Sequence, residues 1–571
     1  MMSIRKFTLC LVISTLVISA CNPSTSNQQA QVDKEENAEP VPEFADVIFH
    51  NGNLVTMADQ HPAAQAIAIN DDMILAVGSD QDMLAYASDQ TITVDLEGKT
   101  MFPGFIESHS HRITQRGKWG YSFEEATMNA ARQGWTTLDE LYVRQEEFEE
   151  MIAAAKDGQL FVRVNAFLSV NGFAGETYDD WYHDYDPGEQ FGDNLRAAAL
   201  KIFIDFDSGR TLLWEQDDLN AYVRDRQDEG WQVAVKAVGQ NSHDLALNAY
   251  EYAMAGEPGE KFRYRVEHSV AANDAQIQRM AEDVVIASIQ PAWPAQLWFE
   301  EDILNLGQEE GMETMFRWRD YLANGVVLAG STYNPPNPEN WEGYLEFQDD
   351  SHMSVPGVLY RNQTQRGYQY TPSEEWMKLA ILPMDELLKA LTINGAFAVF
   401  EEDVKGSLEP GKLADLVVLS DDPRDVEAED LLEIEVLLTM VGGQAVFCSV
   451  AFGDVCAPSI PGPDADFSWA AGSWKAIDND GSSMRLALTE EADGTYSLVY
   501  EDEVGRLCED AADKSVIARG AGEAVDMELI IQGAEAKCNS VDRSITFDIR
   551  FNYNAEQDKL SDDTGVTWER E

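Results

Sequence analysis

An α/β core of parallel strands, bordered by short β-strands and followed by a separate all-β domain, is the fold class the sequence predicts. Three observations carry it. Between residues 102 and 400, apolar strands alternate with segments of helical period, the pattern of strand–helix–strand units in a parallel sheet. On either side, at residues 45–100 and 413–448, only short strand-like runs occur. A proline-rich break at residues 458–463 then leads into a region where apolar and polar residues alternate, as in half-buried strands. The 571 residues are enough for roughly three to four average domains.

Taken in order, residues 1–20 begin with Arg5 and Lys6 and continue as an apolar run from Phe7 to Ala20. Such a run is too short to span a bilayer stably and has the shape of a signal peptide. It ends Leu16-Val17-Ile18-Ser19-Ala20-Cys21, and small residues directly before a cysteine resemble the lipobox of bacterial lipoproteins. That resemblance implies cleavage before Cys21 and lipid attachment to its sulfur. The protein would then be exported and anchored to a membrane of the cell envelope. Residues 21–43 are polar and lack a hydrophobic period, as expected of a disordered tether. Apart from Cys10 and Cys21, four cysteines remain: Cys448, Cys456, Cys508 and Cys538. An even number in an exported chain points to two disulfides. Proximity favours Cys448–Cys456 and Cys508–Cys538, although three pairings are open. A cysteine zinc site has no Cys-x-x-Cys spacing to support it.

Residues 46–52 read as a strand ending in an Asn-Gly turn, residues 66–69 and 73–78 as a hairpin, and residues 91–95 as another strand. Within the core, strands are expected at 200–204, 233–235 and 284–289, and helices at 219–228, 242–254 and 275–282. A further helix is expected at 385–396, and strand character returns at 413–419 and 436–448. Residues 467–571 alternate clearly at 483–488 and 495–500 and carry Gly/Asp turns. They read as a small β-sandwich or barrel without a catalytic constellation, in the manner of a binding or surface module for a glycan or partner.

Composition narrows the function classes. Apolar residues make up 44% and charged residues 25% of the chain, which excludes collagen, coiled coil and wholesale disorder. No apolar run of membrane-spanning length follows residue 20. With 102 acidic and 40 basic residues the formal net charge is -62, a field that repels phosphate backbones and argues against nucleic-acid partners. The acid excess reads as a solvated surface suited to a salty medium, because no EF-hand-like loop is present.

The segment Met101-Phe102-Pro103-Gly104-Phe105-Ile106-Glu107-Ser108-His109-Ser110-His111 carries the chemistry. On a strand, residues i and i+2 point the same way, so His109 and His111 can share a metal ion. His-x-His alone is a weak signal; after a Pro-Gly turn and an apolar strand it is much stronger. The segment resembles the first barrel strand of the amidohydrolase superfamily. Residues 234–239, Arg265-Val266-Glu267-His268 and Ser288-Ile289-Gln290-Pro291 resemble later strands of its family 3, which includes formamide deformylases. Residues 406–419 resemble the segment by which such chains re-enter a small β-sandwich, and Gly442-Gly443 sits where the closing strand carries its glycines. The resemblance spans about residues 45–450.

It implies a (β/α)8 TIM-like barrel over residues 102–404 and a composite β-sandwich from residues 44–101 and 405–450. A linker at 451–465 and a C-terminal β domain at 466–571 follow. It implies one or two divalent metals, usually zinc, and hydrolysis of a non-peptide C–N bond in a small amide-type molecule. His109, His111 and His268 match metal ligands, and Lys201 matches a lysine that can be carbamylated to bridge metals; a salt-bridged barrel lysine is the other reading. The chain departs from the pattern twice. Lys236 stands where another histidine ligand is expected, and an ammonium repels a cation. Thr332 stands where a catalytic aspartate is expected, and a hydroxyl is a poor base near neutral pH. The stretch from His111 to about Glu124 is also short for the family.

Three histidines could still hold one zinc with an open position, and Lys236 could stabilise an oxyanion. Glu267, Asp205, Asp207 or Asp244 could supply a carboxylate base. The rival expectation is a catalytically inactive scaffold. His243 is expected at the surface or capping a helix, and His50, His61, His183 and His352 as structural or solvated. Trp293, Trp298, Phe299 and Trp318 are expected to line core or pocket walls.

Overall fold

The computed structural model describes residues 44–449 except 59, 119, 207–208, 295–300, 334–352 and 366–377, together with Phe452 and the backbone of eight strands between 472 and 570. The signal segment, Cys21, the tether, Cys456, Cys508, Asp207, Trp298, Phe299 and His352 lie outside the described residues. Among those described, no helix is long and apolar enough to cross a membrane.

Eight strands form the centre: β1 (Phe105–Ser110), β2 (Trp135–Val143), β3 (Arg163–Ser169), β4 (Leu195–Phe203), β5 (Val233–Ala237), β6 (Arg265–His268), β7 (Ile286–Ile289) and β8 (Leu328–Gly330). They pair in sequence order, each parallel to the next. Every residue of β1, β5 and β6 is buried, as strands covered on both faces must be. Glu107 of β1 accepts the N–H of Thr332, just beyond β8, at 2.5 Å and so ties the first strand to the last. This is the barrel architecture, whose sites collect at the C-terminal ends of the strands.

Helices connect the strands: α1 (Phe123–Arg132), α2 (Gln145–Lys156), α3 (Gln216–Asp228), α4 (Gln240–Met254) and α5 (Asp274–Glu282). The start of α1 is set locally: Ser122 accepts from the Glu125 N–H at 3.1 Å while the Glu125 carboxylate accepts from the Ser122 N–H at 2.7 Å, a reciprocal capping box. Between β3 and β4 only a short 3-10 turn, Trp181–Asp184, stands in place of a helix.

Both borders of the barrel supply strands to two further sheets. Met73–Gly78, Ala66–Asn70, Val47–His50 and Ile92–Asp95 form one. The other runs Gln444–Cys448, Val436–Val441, Leu416–Leu419, Thr100–Pro103, Asn53–Val55 and Ala63–Ala64. The expected run at 436–448 is thus two antiparallel strands. Gly442 (φ 54) and Gly443 (φ 72) turn the chain between them, the left-handed pair such a hairpin demands. A Cβ at Gly443 would sit 2.1 Å from the Asp71 carbonyl oxygen.

The single helix expected at 385–396 is instead two, Met384–Ala390 and Ile393–Phe397. Thr392 breaks it: its hydroxyl donates to the Leu388 carbonyl at 2.7 Å and its backbone leaves the helical region (φ -135, ψ -99), the competition β-branched hydroxyl residues offer a helix. Beyond residue 471, eight antiparallel strands close into a barrel of their own.

Candidate active site

The two-residue period of β1 turns Glu107, His109 and His111 toward one side. All three are buried, and the His109 and His111 ring centroids lie 5.2 Å apart. From the last position of β6, His268 approaches His109 to 4.7 Å between centroids. Glu267, its neighbour, also reaches His109, with Oε2 2.6 Å from Nδ1. Consecutive strand residues ordinarily face opposite sides. Here the backbone turns left-handed at His268 (φ 80) and Ser269 (φ 43), which lets both side chains serve one site. Tyr333 (φ 84) follows β8 and places its ring 5.3 Å from His109, 5.1 Å from His111 and 5.5 Å from His268. Non-glycine residues in this region each store about 1–3 kcal/mol, and such strain gathers at working sites.

Partners behind the imidazoles fix their orientation. Glu267 Oε1 accepts from Arg265 Nε at 2.8 Å, Arg265 Nη1 donates to Asp139 at 2.8 Å, and Arg265 Nη2 donates to the Ser108 carbonyl at 2.5 Å. His268 Nδ1 lies 3.0 Å from Gln290 Oε1, and Gln290 Nε2 donates to Ser331 Oγ at 3.1 Å. With Nδ1 so engaged, Nε2 of both His109 and His268 is left for a ligand. Trp293 stacks on His268 at 4.9 Å between centroids.

Burial holds the imidazoles neutral. It lowers His109 to about 4 despite Glu267, which opposes it, and it carries His111 and His268 well below the usual range, helped by neighbouring His109 and Lys201. Burial alone would raise Glu267; Arg265 and His109 outweigh it and keep the group a carboxylate. Lys201 is pushed down to about 7 by burial, against the attraction of Glu267. Its Nζ makes no hydrogen bond among the described residues, so the salt-bridged reading of Lys201 is corrected: it is a buried amine without a hydrogen-bonding partner among them.

The two departures are accounted for differently. Lys236 Nζ ion-pairs with Asp205, whose other oxygen accepts from the Val238 N–H at 2.7 Å. Both side chains are buried, so Asp205 is committed to this pair and does not stand as a free base. Thr332 donates its hydroxyl to Glu107 Oε1 at 2.9 Å, and the Tyr333 N–H reaches the same oxygen at 3.1 Å. Burial raises Glu107 to about 7, against the pull of Arg112, and its Oε2 has no hydrogen-bond partner among the described residues.

Glu107, Gln290, Arg265, Asp139 and Tyr333 went unassigned from the sequence. The signal for Glu107 was present, two residues before His109 on the same strand face. Tyr333 had none, because its position depends on a left-handed backbone. Asp244 is not part of the site; it meets Arg279 at 3.3 Å on the surface. His243 is fully buried, with Nδ1 2.9 Å from the Gly239 carbonyl at the start of α4, which corrects its surface reading. Trp318 is buried core.

The fit of a metal can be judged from the donor set. Neutral imidazoles backed by carboxylate and amide oxygens suit one ion of the zinc type. As placed, no three His, Cys, Asp or Glu side chains among the described residues stand close enough together to hold an ion. A second ion is not provided for: Lys236 brings a paired cation where a ligand would be needed, and Thr332 brings no carboxylate.

Residues 121–447, more than half the chain, match the model of the Amidohydrolase family. That span begins after His111 and contains Lys201, Lys236, His268 and Thr332. The putative amidohydrolase YtcJ of Bacillus subtilis is 23% identical over 547 residues, covering 70% of this chain and 99% of that protein. The N-substituted formamide deformylase of Arthrobacter pascens is 27% identical over 266 residues, covering 44% and 45%. An uncharacterized metal-dependent hydrolase from Pyrococcus furiosus shares the fold with a TM-score of 0.53 at 18% identity, over 66% of this chain and all of that one. With eight parallel strands and a buried histidine site at their C-terminal ends, the chain belongs to the amidohydrolase family.

Proposed function

We propose that the protein hydrolyses a non-peptide C–N bond in a small amide-type molecule, using a single divalent metal, zinc in the first instance, held by His109, His111 and His268. Three neutral imidazoles gathered side by side, 5.2 and 4.7 Å between successive centroids, are the observation that carries this reading; they must draw closer than they stand here to share an ion. The relatives point the same way: one is named a formamide deformylase and another a putative amidohydrolase. A metal bound there supplies Lewis-acid polarisation and an acidified water.

The chain's own groups do the rest. Glu267 holds the His109 tautomer, and Gln290 holds that of His268. Glu107, poised near neutrality and bonded to Thr332, is the carboxyl nearest the position that lost its aspartate. Tyr333 and Trp293 cover the rings and limit water. Metal analysis after reconstitution tests the reading. About one zinc-type ion per chain, lost together with amide hydrolysis in His109→Ala, supports it; a metal-free protein that hydrolyses nothing overturns it.

A second reading, an inactive scaffold, draws on the commitment of Lys236 to Asp205. It gains if Lys236→His with Thr332→Asp creates a hydrolysis that the native protein lacks.

A further inference from the structure

Beside the imidazoles, the ends of β2, β3 and β4 carry an aromatic array that none of the site chemistry uses. Phe203 closes β4, two residues after Lys201, and its ring centroid lies 5.3 Å from Lys201 Nζ. Tyr142, near the end of β2, meets Phe203 edge-on at 5.0 Å between centroids. Phe173, in the loop after β3, meets Phe203 at 5.7 Å and Phe206 at 5.4 Å, again edge-on. The Lys236 ammonium stands 5.7 Å from the Phe173 ring centroid. The array therefore starts at the two lysines of the site and runs outward without a gap.

Its outer members are open to solvent. Phe173 is 48% exposed and Phe206 is 36% exposed, whereas Phe203 behind them is 6% exposed. Large apolar side chains grouped in this way usually mark a binding surface. Rigid backing makes it a wall. Asn171 clamps the β3 loop to the end of β4 with two bonds, donating to the Phe203 carbonyl at 2.8 Å and accepting the Phe203 N–H at 2.9 Å. Trp214 Nε1 donates to the same carbonyl at 3.0 Å. The Tyr142 and Tyr178 hydroxyls join at 2.8 Å. The Gly172 N–H closes a tight turn onto the Glu176 carbonyl at 2.8 Å.

We infer that Tyr142, Phe173, Phe203 and Phe206 form the subsite for an apolar, preferably aryl, substituent of the amide substrate, with the scissile group beyond Lys201 at the imidazoles. Continuity of the wall with the lysines fixes which part of the molecule it receives: the end away from the reacting bond. Edge-on rings leave faces for another aromatic group. The charge of Lys236 is met by Asp205, so a neutral substituent is accommodated without stranding an ion. This inference rests on the hydrolase reading for the word substrate, while the subsite itself is tested by binding.

The probes are phenylacetamide and acetamide, which share the primary amide and differ in the ring, titrated calorimetrically into the reconstituted full-length protein, with ammonia release measured separately. Phenylacetamide should bind at least about tenfold more tightly than acetamide, the worth of the apolar area a ring removes from water. Phe173→Ala and Phe206→Ala, both at exposed positions that leave the fold intact, should each cut the phenylacetamide affinity about fivefold or more and leave acetamide within about twofold. Phe400→Ala, exposed elsewhere, should change neither. Equal affinity for the two probes, or equal losses for both in Phe173→Ala, overturns the subsite. Ring-selective, Phe173-dependent binding without ammonia release upholds the subsite and counts against the hydrolase. Ammonia release indifferent to Phe173 does the reverse.

Discussion

Replacing Lys201 with methionine tests the electrostatics of the barrel interior directly. The lysine is fully buried, its Nζ has no hydrogen-bond partner among the described residues, and burial brings it from 10.5 down to about 7. Its folded-state pKa is thus depressed: between pH 7 and 10.5 the unfolded chain carries a proton on this amine that the folded chain has shed. Stability therefore rises with pH across that window and is lost as pH falls through about 7. A tenfold change in proton affinity is worth about 1.4 kcal/mol, so keeping the amine charged inside the fold costs up to about 5 kcal/mol. Methionine has similar length, carries no charge, and leaves no partner stranded. Urea unfolding of both proteins, at pH 7 and pH 9 in metal-free and bicarbonate-free buffer, isolates the contribution of the amine. Lys201→Met should be the more stable protein at pH 7, and the native protein should recover about 2 kcal/mol of the difference by pH 9. Stabilities that move in parallel with pH would refute the reasoning, because they would mean that Lys201 is solvated or paired.

Glu267→Gln removes the carboxylate that orients His109; zinc affinity should fall about 10- to 100-fold, read by competition with a chelating dye. Lys236→Met strands Asp205 inside the barrel and should destabilise by about 3–5 kcal/mol, while Lys236→Met with Asp205→Asn should recover most of the loss in chemical denaturation. Cys21→Ser should move the protein from the membrane to the soluble fraction and abolish incorporation of labelled fatty acid; unchanged fractionation rejects lipid attachment.

The parallel barrel was legible because its strands are continuous apolar runs between helical periods. His109, His111 and His268 were legible for a simpler reason: strand periodicity or motif position places each of them. What escaped depended on long-range packing. That Lys201 lacks a hydrogen-bonding partner while Lys236 is paired is decided by Asp205, which lies 31 positions before Lys236 and close only through the barrel. The network from Arg265 to Asp139 and Glu267 crosses from β6 to β2, a relation no local pattern encodes. Thr332 looked like a bare loss in the sequence; its hydroxyl in fact donates to a carboxyl two positions ahead of the first histidine. The break at Thr392 escaped because helical period persists through it.

Left-handed backbone at His268 and Tyr333 means that the imidazole centre is held in tension by the ring of strands around it. A barrel that loosens slightly at its rim releases that tension first, since the cost of the left-handed conformation at both residues is relieved there. Competence of the centre is therefore a more fragile property than the fold that houses it. On warming, the histidines should drift apart while the circular-dichroism signature of the strands and helices is still whole.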